Sequence, residues 1–406
     1  MDPYQYGYYE YNNIKSTSKY QIMRLCPNPH RVIWHYHDDL FNSFDWTKEP
    51  EESIDILYKN RCEQLRSSYD YIVLMYSGGS DSNNILDTFA KNNIHLDEIC
   101  SHISYEGSGT IETLLNNEIL MRMGNHGAVE KAEKYIKQYN MNTKFRLYDV
   151  TQNTLKLYNN FDFDSNYFIN NAGISYTQCK PKAGTIMETG VKEWMNMYTS
   201  GKKICFLWGN DKPQICGIND IFHFEFCDYI DQSFSIKGVL NNEMNAVDEL
   251  FYRGPNEQSI KIMIKQGHIL KRYFSNFAAR LFLIKKYNKS YSNEQIYQNE
   301  LFSNYIYRAH GVEHNCRLGN DEIRRLIYPN WKPEDEILNK KPFSNFLNDK
   351  DKWFWNSNME SKNKYLSSLE SFTNSIQPAW IKNKSQFENK QYVNKILFLK
   401  KQYRIQ

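Results

Sequence analysis

One short stretch constrains this chain more than any other. Tyr71-Ile72-Val73-Leu74-Met75-Tyr76 is continuously apolar and is followed at once by Ser77-Gly78-Gly79-Ser80-Asp81-Ser82. An unbroken apolar run of this length predicts a strand buried on both faces of a parallel sheet. Beyond it, Ile85, Leu86 and Phe89 fall on one side of a helical repeat. Strand, glycine turn and helix in that order make a cradle for an anion. Glycine lacks Cβ, so the chain turns sharply and successive backbone N–H groups converge on one point. The helix then directs its positive end at the same point. Ser77 and Ser82 would add hydroxyl donors, and Asp81 would hold the Mg2+ that accompanies a polyphosphate. The lysine-bearing G-x-x-x-x-G-K-[ST] loop is absent. That leaves a different phosphate grip or a plain glycine-rich turn.

The surrounding pattern alternates strands with helices. Ser53 is placed to cap a helix carrying Ile54, Leu57, Tyr58, Cys62 and Leu65. Further strands are expected at 99–105, 145–150 and 204–208, with a helical stretch across 111–138 broken near Gly124 and Gly127. This alternation predicts an α/β fold with a doubly wound parallel sheet. Ile260, Met263, Ile264 and Ile269, then Phe277, Leu281 and Ile284, predict a mainly helical C-terminal region. Tyr4, Tyr6, Tyr8, Tyr9 and Tyr11 read as a poorly ordered arm in preference to an edge strand, and 21–50, with Pro27 and Pro29, as an irregular connector. The expected divisions are 1–52, 53–235 and 236–406, with 151–200 inserting a substrate-facing segment.

Composition removes several classes. Hydrophobic residues at 41% against 24% charged exclude general disorder, and 15% aromatics mean that rings supply much of the core. No apolar run approaches the roughly 18–20 residues of a membrane-spanning helix. Met1-Asp2-Pro3-Tyr4-Gln5-Tyr6 has neither a basic start nor an apolar segment, so no secretory signal is expected. Eight cysteines without a C-x-x-C pair read as reduced, mostly buried thiols in a cytoplasm. A net charge of +3 does not mark a nucleic-acid binder. The Asn-, Lys- and Tyr-rich composition suggests an AT-rich coding genome, such as a viral one.

The segment 77–82 resembles the pyrophosphate-binding loop of the PP-loop ATP pyrophosphatases, a superfamily that includes asparagine synthetase, GMP synthetase, NAD synthetase, tRNA-lysidine synthetase and the 7-cyano-7-deazaguanine synthases. The helix at 53–66 leading into strand 71–76 is most similar to the asparagine-synthetase synthase domain. The resemblance covers 53–90 and, in outline, 53–230. It implies the adenine-nucleotide alpha hydrolase-like (HUP) fold and cleavage of ATP to AMP and pyrophosphate. The AMP activates a carboxylate or carbonyl oxygen, and a nucleophile then displaces it. By position, Ser77, Gly78, Gly79, Ser80 and Ser82 would hold the pyrophosphate, although Ser80 stands where these synthetases usually have an apolar residue. Asp81 would ligate Mg2+. The end of the second strand, including His102 and Ile103, would pack against adenine. Gly209 and a second metal-binding acid, Asp211, match the loop after the fourth strand; Asp211 also fits as a turn residue. A basic residue farther on typically neutralises the pyrophosphate, with Lys261, Lys265, Lys271 and Arg272 as candidates, of which Lys265 and Lys271 are assigned the catalytic role. Asp2 stands where glutamine-dependent relatives have a nucleophilic Cys. Nitrogen is therefore expected from ammonia, an amine or a separate amidotransferase. Sulfur-inserting relatives carry paired cysteines, so amide or amidine formation is favoured over thiolation.

Other signals carry less. His310-Gly311-Val312-Glu313-His314 has a zinc-protease spacing, but Gly311 weakens the helix it needs. His35-Tyr36-His37-Asp38-Asp39 reads as a solvated loop, and Asp162 and Asp164 as loop residues. Residues 381–406 hold seven cations against Glu388, interleaved with Tyr392, Phe398 and Tyr403. This suits a nucleic-acid contact or, in preference, an amphipathic terminal helix. Two alternatives to the ligase remain: modification of a nucleotide or nucleic-acid base, and a module that binds ATP without cleaving it.

Overall fold

Burial alternates residue by residue along β1 (Gly7–Tyr11), where Tyr9 is fully buried. The computed structural model describes residues 7–103, 128–149, 191–209, 214–218, 221–228, 245–276, 278–279, 281–282, 307–309, 316–318, 320–329, 360, 374–380 and 399–405. β1 turns through Asn12 and Asn13, both at positive φ, into β2 (Ile14–Ser16). Two left-handed asparagines make the two-residue hairpin turn that suits the twist of paired strands. After α1 (Lys19–Leu25), β3 (Ile33–Tyr36) completes a three-stranded antiparallel sheet in the order β2-β1-β3, and α2 (Asp38–Asn42) follows. The poorly ordered arm and irregular connector are thus corrected over these residues. The tyrosines have a period of two, and Tyr9, Trp34 and Tyr36 bury their rings in the main core.

The expected helix and strand come next. α3 (Ile54–Ser68) is capped by Ser53, whose Oγ accepts from the Ile56 N–H. β4 (Tyr71–Met75) leads to α4 (Ser80–Lys91), then β5 (Glu98–Ile103). α5 (Ala128–Gln138), β6 (Lys144–Asp149), α6 (Lys192–Thr199) and β7 (Ile204–Trp208) continue the alternation. A hairpin of β8 (Gln214–Ile218) and β9 (Ile221–Cys227) precedes β10 (Ala246–Leu250). Five strands form an all-parallel sheet in the order β10-β7-β4-β5-β6. Both faces are covered. Ile72 and Leu74 join a core with Leu57, Tyr58 and Leu65 of α3 and Ile85 and Phe89 of α4. Val73 and Met75 point the other way, toward Trp194 of α6. The chain is therefore α/β, with the architecture a doubly wound fold has.

Strand order fixes where a ligand can sit. From β4 the chain moves outward through β5 and β6, then returns to the opposite side of β4 to lay down β7 and β10. The β4/β7 boundary is thus the switch point. There Met75 and Trp208, the last residues of the two strands, stand side by side. In open parallel sheets of this kind, ligands bind in the crevice beyond the strand C-termini at that point.

Beyond residue 236, α7 (Glu257–Ser275) and α8 (Asn320–Ile327) are helices, but strands occur there too. These are β10, β11 (Tyr307–Ala309), β12 (Cys316–Leu318) and β13 (Lys400–Arg404). They were not foreseen. A second sheet runs β12-β11-β8-β9-β13. Residues 400–404 pair antiparallel with β9, which corrects the expected terminal helix over that stretch. Their exposure alternates, and the Tyr403 ring stacks 4.3 Å from Trp46. Cys26, Cys62, Cys100, Cys205 and Cys216 are buried thiols. Among the described residues, no helix is long and apolar enough to cross a membrane.

Candidate functional site

The turn after β4 is fastened at both ends. Tyr76 donates its N–H to the Cys100 carbonyl at 2.9 Å, accepts from Ser101 Oγ at 2.8 Å and donates its hydroxyl to Asn83 Oδ1 at 2.8 Å. Between these anchors Gly78 takes φ +72°, a conformation glycine adopts without the cost a Cβ imposes. Gly79 then caps α4, and its carbonyl accepts the Asn83 N–H at 2.9 Å. No side chain caps this helix. The amides of Ser80, Asp81 and Ser82 therefore lack intrahelical acceptors and carry the helix's positive end.

Two serines close the turn on itself. Ser77 and Ser82 hydroxyls lie 3.2 Å apart, Ser82 Oγ donates to the Gly79 carbonyl at 3.1 Å, and the Gly79 N–H reaches Ser77 Oγ at 3.3 Å. Ser80 Oγ is buried with no hydrogen-bond partner among the described residues. A buried hydroxyl without an acceptor beside uncapped amides is the donor set that a phosphate oxygen satisfies. The end of β7 forms the opposite wall. A Cβ on Gly209 would lie 2.9 Å from Ser82 N and 3.0 Å from Ile85 Cδ1, so only glycine lets the strand approach the helix this closely.

Asp81 is held from a distance in sequence. Tyr328 donates its hydroxyl to Asp81 Oδ1 at 2.5 Å, and Tyr252 donates to the Asp81 carbonyl at 2.8 Å. Asn84 Nδ2 in turn donates to the Tyr252 hydroxyl at 3.0 Å. Burial, reinforced by the Asp81 charge and the neighbouring tyrosines, pushes both phenols well above their ordinary range. They stay protonated and act as donors. A cation also reaches the turn: Lys131, in the first turn of α5, donates from Nζ to the Gly78 carbonyl at 2.9 Å.

The predicted residues separate into two groups. Ser77, Gly78, Gly79, Ser80, Asp81, Ser82 and Gly209 come together. His102 and Ile103 end β5, paired with Tyr148 and Asp149 of β6, while their side chains lie outside what the structure describes. The helix α7 cations are engaged elsewhere. Lys265 pairs with Glu49 at 2.9 Å and donates to the Pro50 carbonyl at 2.9 Å. Lys271 reaches the Ile405 carbonyl at 3.4 Å, Lys261 pairs with Glu257 at 3.0 Å, and Arg272 pairs with Glu49. Lys261, Lys265 and Arg272 line the stripe of α7 that meets the acidic 49–52 segment, whereas Ile260, Met263 and Ile264 face the core. Asp211, Asp162, Asp164, the 310–314 motif and 381–398 lie outside the described residues.

The solvated-loop reading of 35–39 is corrected. His35 and Tyr36 belong to β3, and His35 Nδ1 sits 2.8 Å from Asp38 Oδ2. Lys401 of β13 pairs with Asp38, and Lys400 lies 3.4 Å from Glu225.

Metal chemistry can be tested against the donor set. Among the described residues, no group of three or more His, Cys, Asp or Glu could hold a metal. Mg2+ commonly takes one or two carboxylates, keeps several waters and completes its shell with phosphate oxygens. A single carboxylate beside a glycine turn with uncapped amides fits that mode, and Asp81 would then be the protein ligand.

Lys131, Tyr252 and Tyr328 went unnoticed in the sequence. Lys131 is one of several lysines on an amphipathic helix, and the tyrosines lie 171 and 247 positions from Asp81, without a motif of their own. No protein-family profile matches the chain, and no curated protein is found to match it.

Proposed function

We propose that the chain is an AMP- and pyrophosphate-forming, ATP-dependent ligase of the PP-loop kind, with an HUP-type nucleotide domain. The observation that carries this reading is the position of the 77–82 turn: a glycine-built, uncapped helix N-terminus at the switch point of a parallel sheet, walled by Gly209. Its donors suit the two terminal phosphates of ATP, which leaves the α-phosphorus toward an acceptor. A carboxylate or carbonyl oxygen of the acceptor attacks that phosphorus, the bond to pyrophosphate breaks, and ammonia or an amine then displaces AMP. A separate amidotransferase would serve equally as nitrogen source, and a cytoplasm supplies ATP and Mg2+ together.

The chain's own residues do electrostatic work here. Amides 80–82 and the Ser80 hydroxyl bind the leaving group; the Ser77–Ser82 bond keeps the turn from reorganising; Lys131, not Lys265 or Lys271, is the cation beside it. Preorganised donors of this sort act where charge develops in the transition state. Bound at Asp81, Mg2+ would further shield the phosphates.

The test is product analysis with labelled ATP, Mg2+, ammonium and pooled carboxylate acceptors. AMP plus pyrophosphate is expected, and Asp81→Asn, which keeps an acceptor for Tyr328, should abolish it. ADP plus phosphate, or undiminished turnover in the variant, would remove the ligase. ATP binding with no product across the panel would identify a binding module instead.

A further inference from the structure

The peptide unit joining Gly78 to Gly79 is gripped on both sides. Lys131 Nζ donates to its carbonyl at 2.9 Å, and its N–H reaches Ser77 Oγ at 3.3 Å. The bond is trans, so carbonyl and N–H point in opposite directions. The N–H therefore faces the side where the Ser77 and Ser82 hydroxyls meet. The next peptide is fixed separately, because the Gly79 carbonyl accepts from Ser82 Oγ and from the Asn83 N–H. Lys131 is itself placed by α5. One turn farther on, on the same face, Tyr135 donates its hydroxyl to Asp87 Oδ1 of α4 at 3.0 Å, and Ala128 and Ala132 are fully buried.

A peptide between two glycines turns over at little cost, because no Cβ opposes either flanking rotation. Turning it over rotates φ at position 79 by about 180°, into the positive region that glycine enters freely and other residues avoid. The carbonyl oxygen would then stand beside the serine hydroxyls and repel a phosphate oxygen. The orientation present makes no such demand: Gly79 has φ −73° and ψ 163°, which any residue adopts, and an added Cβ would meet Ser77 Oγ at 3.3 Å. We propose that Lys131 is a positioning residue: by holding the Gly78 carbonyl away from the serines, it selects the peptide orientation that presents an N–H, not an oxygen, to the phosphates. Apparent affinity scales with the fraction of molecules in the competent orientation. The inference rests on the reading of 77–82 as a nucleotide site, and it gives Lys131 a role beyond that of a nearby charge.

The test is a double-mutant cycle on the full-length protein, read by calorimetric binding of ATP with Mg2+. Gly79→Ala disfavours the turned-over peptide without any help from position 131. Lys131→Met should cost about tenfold in affinity when Gly79 is present, the scale of one hydrogen bond to a charged group. In the Gly79→Ala background the same change should cost only about threefold, because alanine now keeps the orientation and only the loss of charge remains. A second readout needs no nucleotide. In protein labelled with 15N-glycine, the Gly79 amide, identified by its absence from the Gly79→Ala spectrum, should exchange with water about tenfold faster in Lys131→Met than in wild type. Equal losses of affinity in the two backgrounds, or an unchanged Gly79 exchange rate, would overturn the inference while leaving the nucleotide reading intact. Failure of the wild type to bind ATP would instead overturn the nucleotide reading, whatever the amide shows.

Discussion

Gly209 and Ser82 stand closer than any side chain allows: a Cβ on Gly209 would lie 2.9 Å from the Ser82 nitrogen and 3.0 Å from its Cα. Both contacts are backbone, so neither can swing aside. Gly209→Ala must therefore push the first turn of α4 away from β7. Overpacking of this kind costs about 1–3 kcal/mol. We expect a lower urea midpoint and weaker ATP binding together, read by fluorescence-monitored unfolding and calorimetry. A variant with wild-type midpoint and affinity would show that the strand and helix are not tightly opposed.

Gly78 tests the turn from its other side. At φ +72° an added Cβ is strained, at a cost of about 1–2 kcal/mol for alanine. Asparagine tolerates the left-handed region better. The expected order of both stability and ATP affinity is Gly, then Asn, then Ala at position 78. Equal affinities for all three would mean that the turn's shape does not govern nucleotide binding.

Part of this architecture was legible from residue types alone, and the division has physical causes. Ser53 as a cap, the runs at 71–76 and 204–208, and inward Ile85, Leu86 and Phe89 all appear as expected, because cap chemistry and continuous burial leave local marks. β10 did not announce itself. As the edge of the parallel sheet, it buries only its two ends, and Val247, Asp248 and Glu249 are half-buried. At the N-terminus the alternation of tyrosines was visible, but the Asn12-Asn13 turn that makes it a hairpin was passed over. The site divides similarly. Residues 77–82 form a contiguous motif, whereas Tyr252 and Tyr328 reach Asp81 only through long-range packing.

Lys131 and Lys265 make opposite predictions. Lys131 touches the turn, and Lys265 is paired with Glu49 in a partly buried bridge. Lys131→Met should weaken ATP binding by about tenfold, the scale of a charge-assisted hydrogen bond, and flatten its dependence on salt. Lys265→Met should lower thermal stability while leaving ATP affinity unchanged. Calorimetry at two salt concentrations beside thermal melts decides between them, and the reverse pattern would restore Lys265 as the phosphate cation.

His37 gives the fold a pH dependence separate from the site. Burial lowers its pKa from 6.5 to about 4, with the Asp38 charge only partly opposing. A folded-state pKa below the unfolded value means that the unfolded chain binds the extra proton first. The contribution is therefore complete above pH 6.5 and is lost as pH falls toward 4, by on the order of 3 kcal/mol at about 1.4 kcal/mol per unit. Burial alone would raise the Asp38 pKa, but its bonds to Lys401, the Tyr36 N–H and His35 hold it below 3.8, so its own loss comes at lower pH. The two windows separate. His37 also occupies φ +44°, which asparagine accepts. His37→Asn should thus preserve the backbone at α2 and remove the titrating ring. Urea midpoints measured from pH 7 to pH 4 should fall more steeply in wild type than in the variant, and parallel curves would show that His37 does not carry the acid sensitivity.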